Sequence, residues 1–191
     1  MNPEFAEMEQ DLERVMFDRE AIENMVDRLG KEISLRYRES VKERRLILIG
    51  VLKGSVIFLA DLIRHVTLPL EVLFLQASSY GSGTESCGRV QINMELDKKL
   101  VGGADVILVE DILDSGRTLK KLMEYFSASG AHSVSICTML DKPARRVVDI
   151  KTDFVGYDVE DEFLVGYGLD YNEKYRNLPY IGVLKRAIYE S

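Results

Sequence analysis

Cysteine and histidine are scarce in this chain, with two of each among 191 residues. Cys87 sits in a polar, glycine- and serine-rich stretch and Cys137 in an apolar run. No disulfide framework is available, and both read as free thiols of a reducing compartment. His65 and His132 stand far apart, with no cysteine or carboxylate at ligand spacing, which excludes a zinc cluster built on several His or Cys. There is no G-x-S-x-G nucleophile elbow, no Walker A loop and no Rossmann glycine fingerprint. No run approaches the roughly 20 consecutive apolar residues of a membrane span. The segment Met1 to Arg14 is acidic, carrying Glu4, Glu7, Glu9, Asp11 and Glu13, where a secretory signal starts basic and a mitochondrial presequence is poor in acids. A cytoplasmic location is expected. Positive charge is in deficit too: 25 Lys+Arg against 32 Asp+Glu leave a net charge of −7, which argues against broad affinity for nucleic acid or anionic membrane.

What is present is the composition of a soluble globular protein, 46% hydrophobic and 30% charged. The length suits one domain over 1–191, and a folded chain of this size buries roughly 70% of its unfolded surface without needing a staple. Between Asp18 and Glu39, apolar residues recur every three or four positions, which predicts a helix with Asp18 as N-cap. Gly30 weakens that helix by about 1 kcal/mol relative to alanine. Leu46 to Leu52 reads as a strand buried on both faces, Val56 to Arg64 as a helix, and Leu70 to Leu75 as a strand. Ser78 to Gly88 is small and polar, the composition of a mobile loop. Arg89 to Met94, Ala104 to Val109 and Val134 to Leu140 read as further strands, and Thr118 to Ser129 as a helix stopped by Gly130. Strands alternating with helices at this spacing imply an α/β fold, a parallel twisted sheet flanked by helices.

In such sheets ligands bind at the carboxyl ends of the strands. The richest of these ends is Glu110-Asp111-Ile112-Leu113-Asp114-Ser115-Gly116-Arg117-Thr118. An apolar strand delivers two adjacent acids, and a third acid opens a small-residue loop that enters a helix. Ser115 to Thr118 lie where unpaired N–H groups and the helix dipole favour an anion, so this part is suited to a phosphate. Glu110 and Asp111 repel phosphate but accept hydrogen bonds from a sugar diol or attract a divalent cation. The plainer interpretation, a turn with solvated acids and an N-cap, leaves unexplained why three carboxylates abut an anion cradle.

Glu110 to Thr118 resembles the phosphoribosyl-pyrophosphate signature of type I phosphoribosyltransferases. Leu52-Lys53-Gly54-Ser55 resembles the pyrophosphate loop of the hypoxanthine (-guanine) branch, and Ser79-Tyr80 the head of its lid. Asp141-Lys142, Asp153 to Gly156 and Val165 to Glu173 followed by Arg176 resemble its purine-site and C-terminal motifs. The match runs from about Asp18 to Leu184. The resemblance implies a core at about 40–150 with a small hood formed from about 1–20 and 151–191. It implies that Asp114, Ser115, Gly116, Arg117 and Thr118 hold a 5′-phosphate and that Glu110 and Asp111 face ribose hydroxyls. Lys53, Gly54 and Arg176 would meet pyrophosphate, with a cis peptide expected between Lys53 and Gly54. Lys142 would donate to a purine 6-oxo group, Phe163 would stack on the ring, and the Leu164 backbone would read its edge. Asp170 would lie near the base and, with Glu110 and Asp111, hold Mg²⁺. Ser115 stands where many relatives have threonine, which keeps the hydroxyl.

The implied reaction joins hypoxanthine, and guanine, to phosphoribosyl pyrophosphate to give IMP or GMP, with Asp114 taking or sharing the purine N7 proton. Ser79 and Tyr80 would help close the site against water. Homodimers or homotetramers are expected by resemblance only. Alternatives are a phosphoribosyltransferase for another base, xanthine among them, and a regulatory RNA-binding relative. Lys142 favours a 6-oxopurine, because an ammonium only donates and adenine's exocyclic amine is itself a donor there. The net charge and the lack of a dense Lys/Arg stripe speak against RNA.

Overall fold

Apolar residues spaced three and four apart produce the first long helix. In the computed structural model, which describes residues 5–79, 90–93 and 100–190, α2 runs Arg19–Tyr37 after the short α1 (Ala6–Glu9) and β1 (Leu12–Phe17). It buries Ile22, Met25, Val26, Leu29, Ile33 and Tyr37. The Asp18 carboxylate accepts from the Ala21 N–H at 2.9 Å, satisfying one of the donors that a helix start leaves open. Gly30 does not break the helix. It faces the end of α3 (Val56–His65), where a Cβ would come within 2.6 Å of His65 Cβ.

The central sheet contains β2 (Leu46–Leu52), β3 (Glu71–Ser79), β4 (Val90–Asn93), β5 (Asp105–Leu113), β6 (Ser133–Asp141) and β7 (Phe154–Asp158). The spatial order is β4-β3-β2-β5-β6-β7. β3, β2, β5, β6 and β7 are parallel, and β4 pairs antiparallel with β3 at one edge. Alternate residues of the continuous apolar strands feed two cores. Leu48, Ile107, Val109, Cys137 and Met139 pack with α2 and α3. Ile47, Ile49, Val106, Leu108 and Ile136 pack with Leu119, Leu122 and Phe126 of α4 (Arg117–Ala128). Helices therefore cover both faces, as the strand–helix alternation implies.

Two strands run further than their apolar residues suggest. β3 extends past Leu75 because Gln76 to Ser79 pair with Asn93 to Val90. β5 extends past Val109 because Glu110, Ile112 and Leu113 stay in register with Thr138, Leu140 and Asp141. An apolar run marks where a strand is covered on both faces, and its backbone ladder continues where the side chains turn polar. Ser78 and Ser79 accordingly end β3 rather than begin a loop. Tyr80 and Cys87 lie outside the described residues, with most of the expected loop.

A second sheet, ordered β1-β9-β8, combines β8 (Leu164–Val165) and β9 (Ile181–Leu184) with β1 from the other end of the chain. Leu12, Val165, Tyr175, Leu178, Tyr180 and Leu184 form its own apolar cluster. Tyr175 donates to Asp11 and Tyr180 to Glu9, each at 2.7 Å. This is the hood, although its second segment starts later than 151. β7 is hydrogen-bonded to β6 in the central sheet, and α2 packs on that sheet as well.

Candidate active site

β2, β5 and β6 point their carboxyl ends the same way, and the hood covers that end. β5 delivers Glu110 and Asp111 within its last turn of pairing. The Asp111 Oδ1 accepts from the Ile112 N–H at 2.9 Å. Glu110 Oε2 is buried and has no hydrogen-bond partner among the described residues. Burial, then the neighbouring Asp111 charge, pushes the Glu110 carboxyl well above its ordinary value. Burial also raises Asp111, against the lowering pull of its backbone hydrogen bonds and of Arg176.

The loop that follows β5 turns at Gly116, whose φ of +79° is strained for any residue with a Cβ. Gly116 is the N-cap of α4, and among the described residues no side chain caps that helix. α2 supplies its own carboxylate at the equivalent place, whereas the Gly116 N-cap of α4 has no side chain to offer its first N–H groups. Glu110, Asp114, Ser115, Gly116 and Thr118 line a small cavity of about 90 Å³ there. Arg117 is the first helical residue.

The β2–α3 loop closes over the acid pair. A Cβ on Gly54 would lie 1.6 Å from Asp111 Oδ2, so only glycine allows this approach. The non-proline cis peptide links Leu52 to Lys53, one bond earlier than between Lys53 and Gly54. It falls at the junction where β2 stops, so the turn begins before the glycine. Lys53 Nζ donates to Glu173 at 3.0 Å. That contact holds the Glu173 carboxyl below its ordinary value. Arg176 donates to the Gly168 carbonyl at 2.8 Å and pairs with Asp170 at 2.8 Å and Glu173 at 3.5 Å. Its Nε is buried without a partner among the described residues.

Beside this lies an open cavity of about 290 Å³ lined by Asp111, Asp114, Lys142, Phe163, Leu164 and Asp170 among others. Lys142 is buried, and its Nζ donates to the Glu162 carbonyl at 2.7 Å. Phe163 stacks on Tyr189 with ring centroids 4.7 Å apart and meets Tyr171 edge-on at 5.4 Å. The Leu184 N–H donates to the Phe163 carbonyl at 2.8 Å, which makes 163/184 a bonded rung. Rungs alternate, so in the Leu164–Val183 pair the Leu164 N–H and C=O point off the free edge of β8.

The sequence-derived residues Lys53, Gly54, Glu110, Asp111, Asp114 to Thr118, Lys142, Phe163, Leu164, Asp170 and Arg176 thus meet at one end of the sheet. Ser79 closes β3, and Tyr80 is outside the described residues. Sequence reading passed over Arg145. Its Nε donates to Asp114 at 2.7 Å, and its Nη1 reaches both Asp161 oxygens at 3.1 and 3.3 Å. The available signal was its place just after β6, at the same carboxyl edge. Arg146 pairs with Asp141 and donates to the Asp114 carbonyl, fixing the loop's other side.

A half-buried acid pair beside a helix start with no side-chain cap among the described residues, bordered by the Lys142–Phe163 cavity, is the arrangement expected of a phosphoribosyltransferase. The phosphoribosyl transferase domain family matches residues 18–172, and the chain belongs to that family. It is 50% identical to the hypoxanthine-guanine phosphoribosyltransferase of Bacillus subtilis, over 96% of this chain and 99% of that one. It is 47% identical to the Streptococcus thermophilus protein of the same name, over 95% and 98%. The crystal structure of a hypoxanthine phosphoribosyltransferase from Staphylococcus aureus superposes with a TM-score of 0.90 at 42% identity, covering all of both chains.

Proposed function

We propose that this chain transfers the 5-phosphoribosyl group from phosphoribosyl pyrophosphate to N9 of hypoxanthine, and of guanine, releasing pyrophosphate. The observation that carries this reading is the junction at Asp114. One loop joins a half-buried acid pair to the start of α4, and the same loop borders the Lys142–Phe163–Leu164 cavity. A sugar between a 5′-phosphate and an incoming base needs that order of chemistries.

The 5′-phosphate would take the Ser115 and Thr118 hydroxyls and the N–H groups at the start of α4. Glu110 and Asp111 would accept from the ribose hydroxyls. As the C1–O bond breaks, positive charge grows on the sugar, and the acid pair below it stabilises that charge. Lys53 and Arg176 would neutralise the leaving pyrophosphate. Asp114 would accept or share the N7 proton, making N9 the better nucleophile. Lys142 would donate to the 6-oxo group, and the outward Leu164 backbone groups support edge recognition of the base.

Hard carboxylate oxygens and an orphaned buried Glu110 Oε2 fit a divalent cation such as Mg²⁺. Among the described residues no three acidic, His or Cys side chains converge into a metal cage of their own. Glu110, Asp111 and Asp170 would therefore share the ion with substrate oxygens. When bound, Mg²⁺ offsets negative charge on the leaving group. The deciding experiment incubates the protein with Mg²⁺, phosphoribosyl pyrophosphate and, separately, hypoxanthine, guanine, xanthine and adenine. Nucleotide from the first two supports the reading, and nucleotide from adenine alone overturns it. Self-association, which the family resemblance leads one to expect, is read by light scattering.

A further inference from the structure

We propose that Glu173 is a built-in stand-in for pyrophosphate. Its carboxylate bridges Lys53 and Arg176, and it must leave them before the phosphoribosyl donor binds. This rests on the assignment of Lys53 and Arg176 to pyrophosphate made above. Glu173 Oε1 accepts from Lys53 Nζ at 3.0 Å, and Oε2 lies 3.5 Å from the Arg176 guanidinium. One carboxylate therefore spans the two cations that a pyrophosphate would span.

The backbone aims it there. Asn172 and Glu173 both lie in the left-handed region, with φ of 51° and 63°, a conformation uncommon for residues with a Cβ. The Glu173 N–H is tied to Asp170 Oδ2 at 2.9 Å, and Asp170 Oδ1 pairs with the same Arg176 Nη2 at 2.8 Å. Strain kept in a turn that forms no core is the kind that accompanies function. The bridge itself is not a stability device. Lys53 and Glu173 are 57% and 64% exposed, and pairs so wet contribute little to folding. Their attraction is instead a competition. A ligand that must displace an internal anion binds with its affinity reduced by the fraction of sites left open. The contact thus weakens the hold on pyrophosphate and favours its release.

Titration calorimetry with inorganic pyrophosphate and Mg²⁺ tests this on the full chain. Glu173→Gln keeps the size and loses the charge. It is expected to tighten pyrophosphate binding by roughly 1.5- to 5-fold, an exposed ion pair's worth. The gap should narrow as salt rises from about 0.05 to 0.5 M, which a purely structural effect would not do. Glu173→Asp, which retains a carboxylate, should fall nearer the parent protein. In a Lys53→Met background the Glu173→Gln gain should shrink. Unchanged or weaker binding in Glu173→Gln, with Lys53→Met still weakening binding, overturns the inference and leaves the site assignment standing. Parent-like binding in Lys53→Met overturns the assignment itself, and the inference with it.

Discussion

Asp114 reaches the base cavity with one oxygen already taken by Arg145. If it accepts the N7 proton, Asp114→Asn should lower kcat by roughly 10²- to 10⁴-fold while leaving substrate binding less affected, as steady-state kinetics would show. Glu110 makes a second prediction, about stability. Its folded-state pKa lies above the ordinary 4.5, so the folded chain holds a proton the unfolded chain releases. Stability is then lost as pH rises from about that ordinary value through the raised one. Glu110→Gln removes the penalty. In metal-free buffer it should raise Tm at pH 8 by more than at pH 4, by roughly 2–4 °C per kcal/mol for a chain of this size, and lower activity. A scanning calorimeter reads the first and the nucleotide assay the second. Residue identities at the site were legible in the sequence because they are contiguous: Glu110 to Thr118 sit on one strand-loop-helix. Arg145 was not, because its partners Asp114 and Asp161 are set by the sheet, and a lone arginine after a strand carries no periodic signal.

At the scale of elements, the two long helices begin in opposite ways. α2 has its own cap, and Asp18→Ala should cost about 1 kcal/mol, a Tm loss of a few degrees. α4 begins at an uncapped Gly116 and has no such carboxylate to lose. Gly116→Ala should instead raise KM for the phosphoribosyl donor, because a Cβ is strained at φ +79° and would come 2.9 Å from Arg146 Cδ. Helix positions were readable from the spacing of Ile22 to Tyr37. Strand ends were not. Glu110 to Leu113 and Gln76 to Ser79 stay in their ladders through backbone pairing that polarity conceals. The cis peptide is Leu52–Lys53, one bond before the place the resemblance implied, although β2 ends at Leu52 as its apolar run predicts.

Over the whole molecule, the hood is tied to the central sheet on one face: Leu164, Ile181 and Val183 pack into the core under α2 and α3, while Leu12, Val165 and Leu184 form a smaller cluster of their own. Amides of β2 and β5, flanked by strands on both sides and covered on both faces, should exchange with deuterium far more slowly than those of β8, a two-residue edge strand. Mass spectrometry of peptides from each would show it. Cys137 is fully buried, and burial pushes its thiol up, so a thiol reagent should reach it only on global unfolding. The hood was the least legible layer, because its sheet joins residues from opposite ends of the chain and neither segment alone shows a long pattern.

The pairing of Leu12 with Leu184 has a consequence for the order of assembly. The hood, which brings Phe163 and Leu164 to the proposed base cavity, is tethered through the longest loop in the fold, and closing such a loop is entropically costly until the parts between have condensed. During refolding, the capacity to hold a sugar phosphate at α4 should emerge before the capacity to hold a purine. The base-selective half of the pocket is then a late product of the folding reaction.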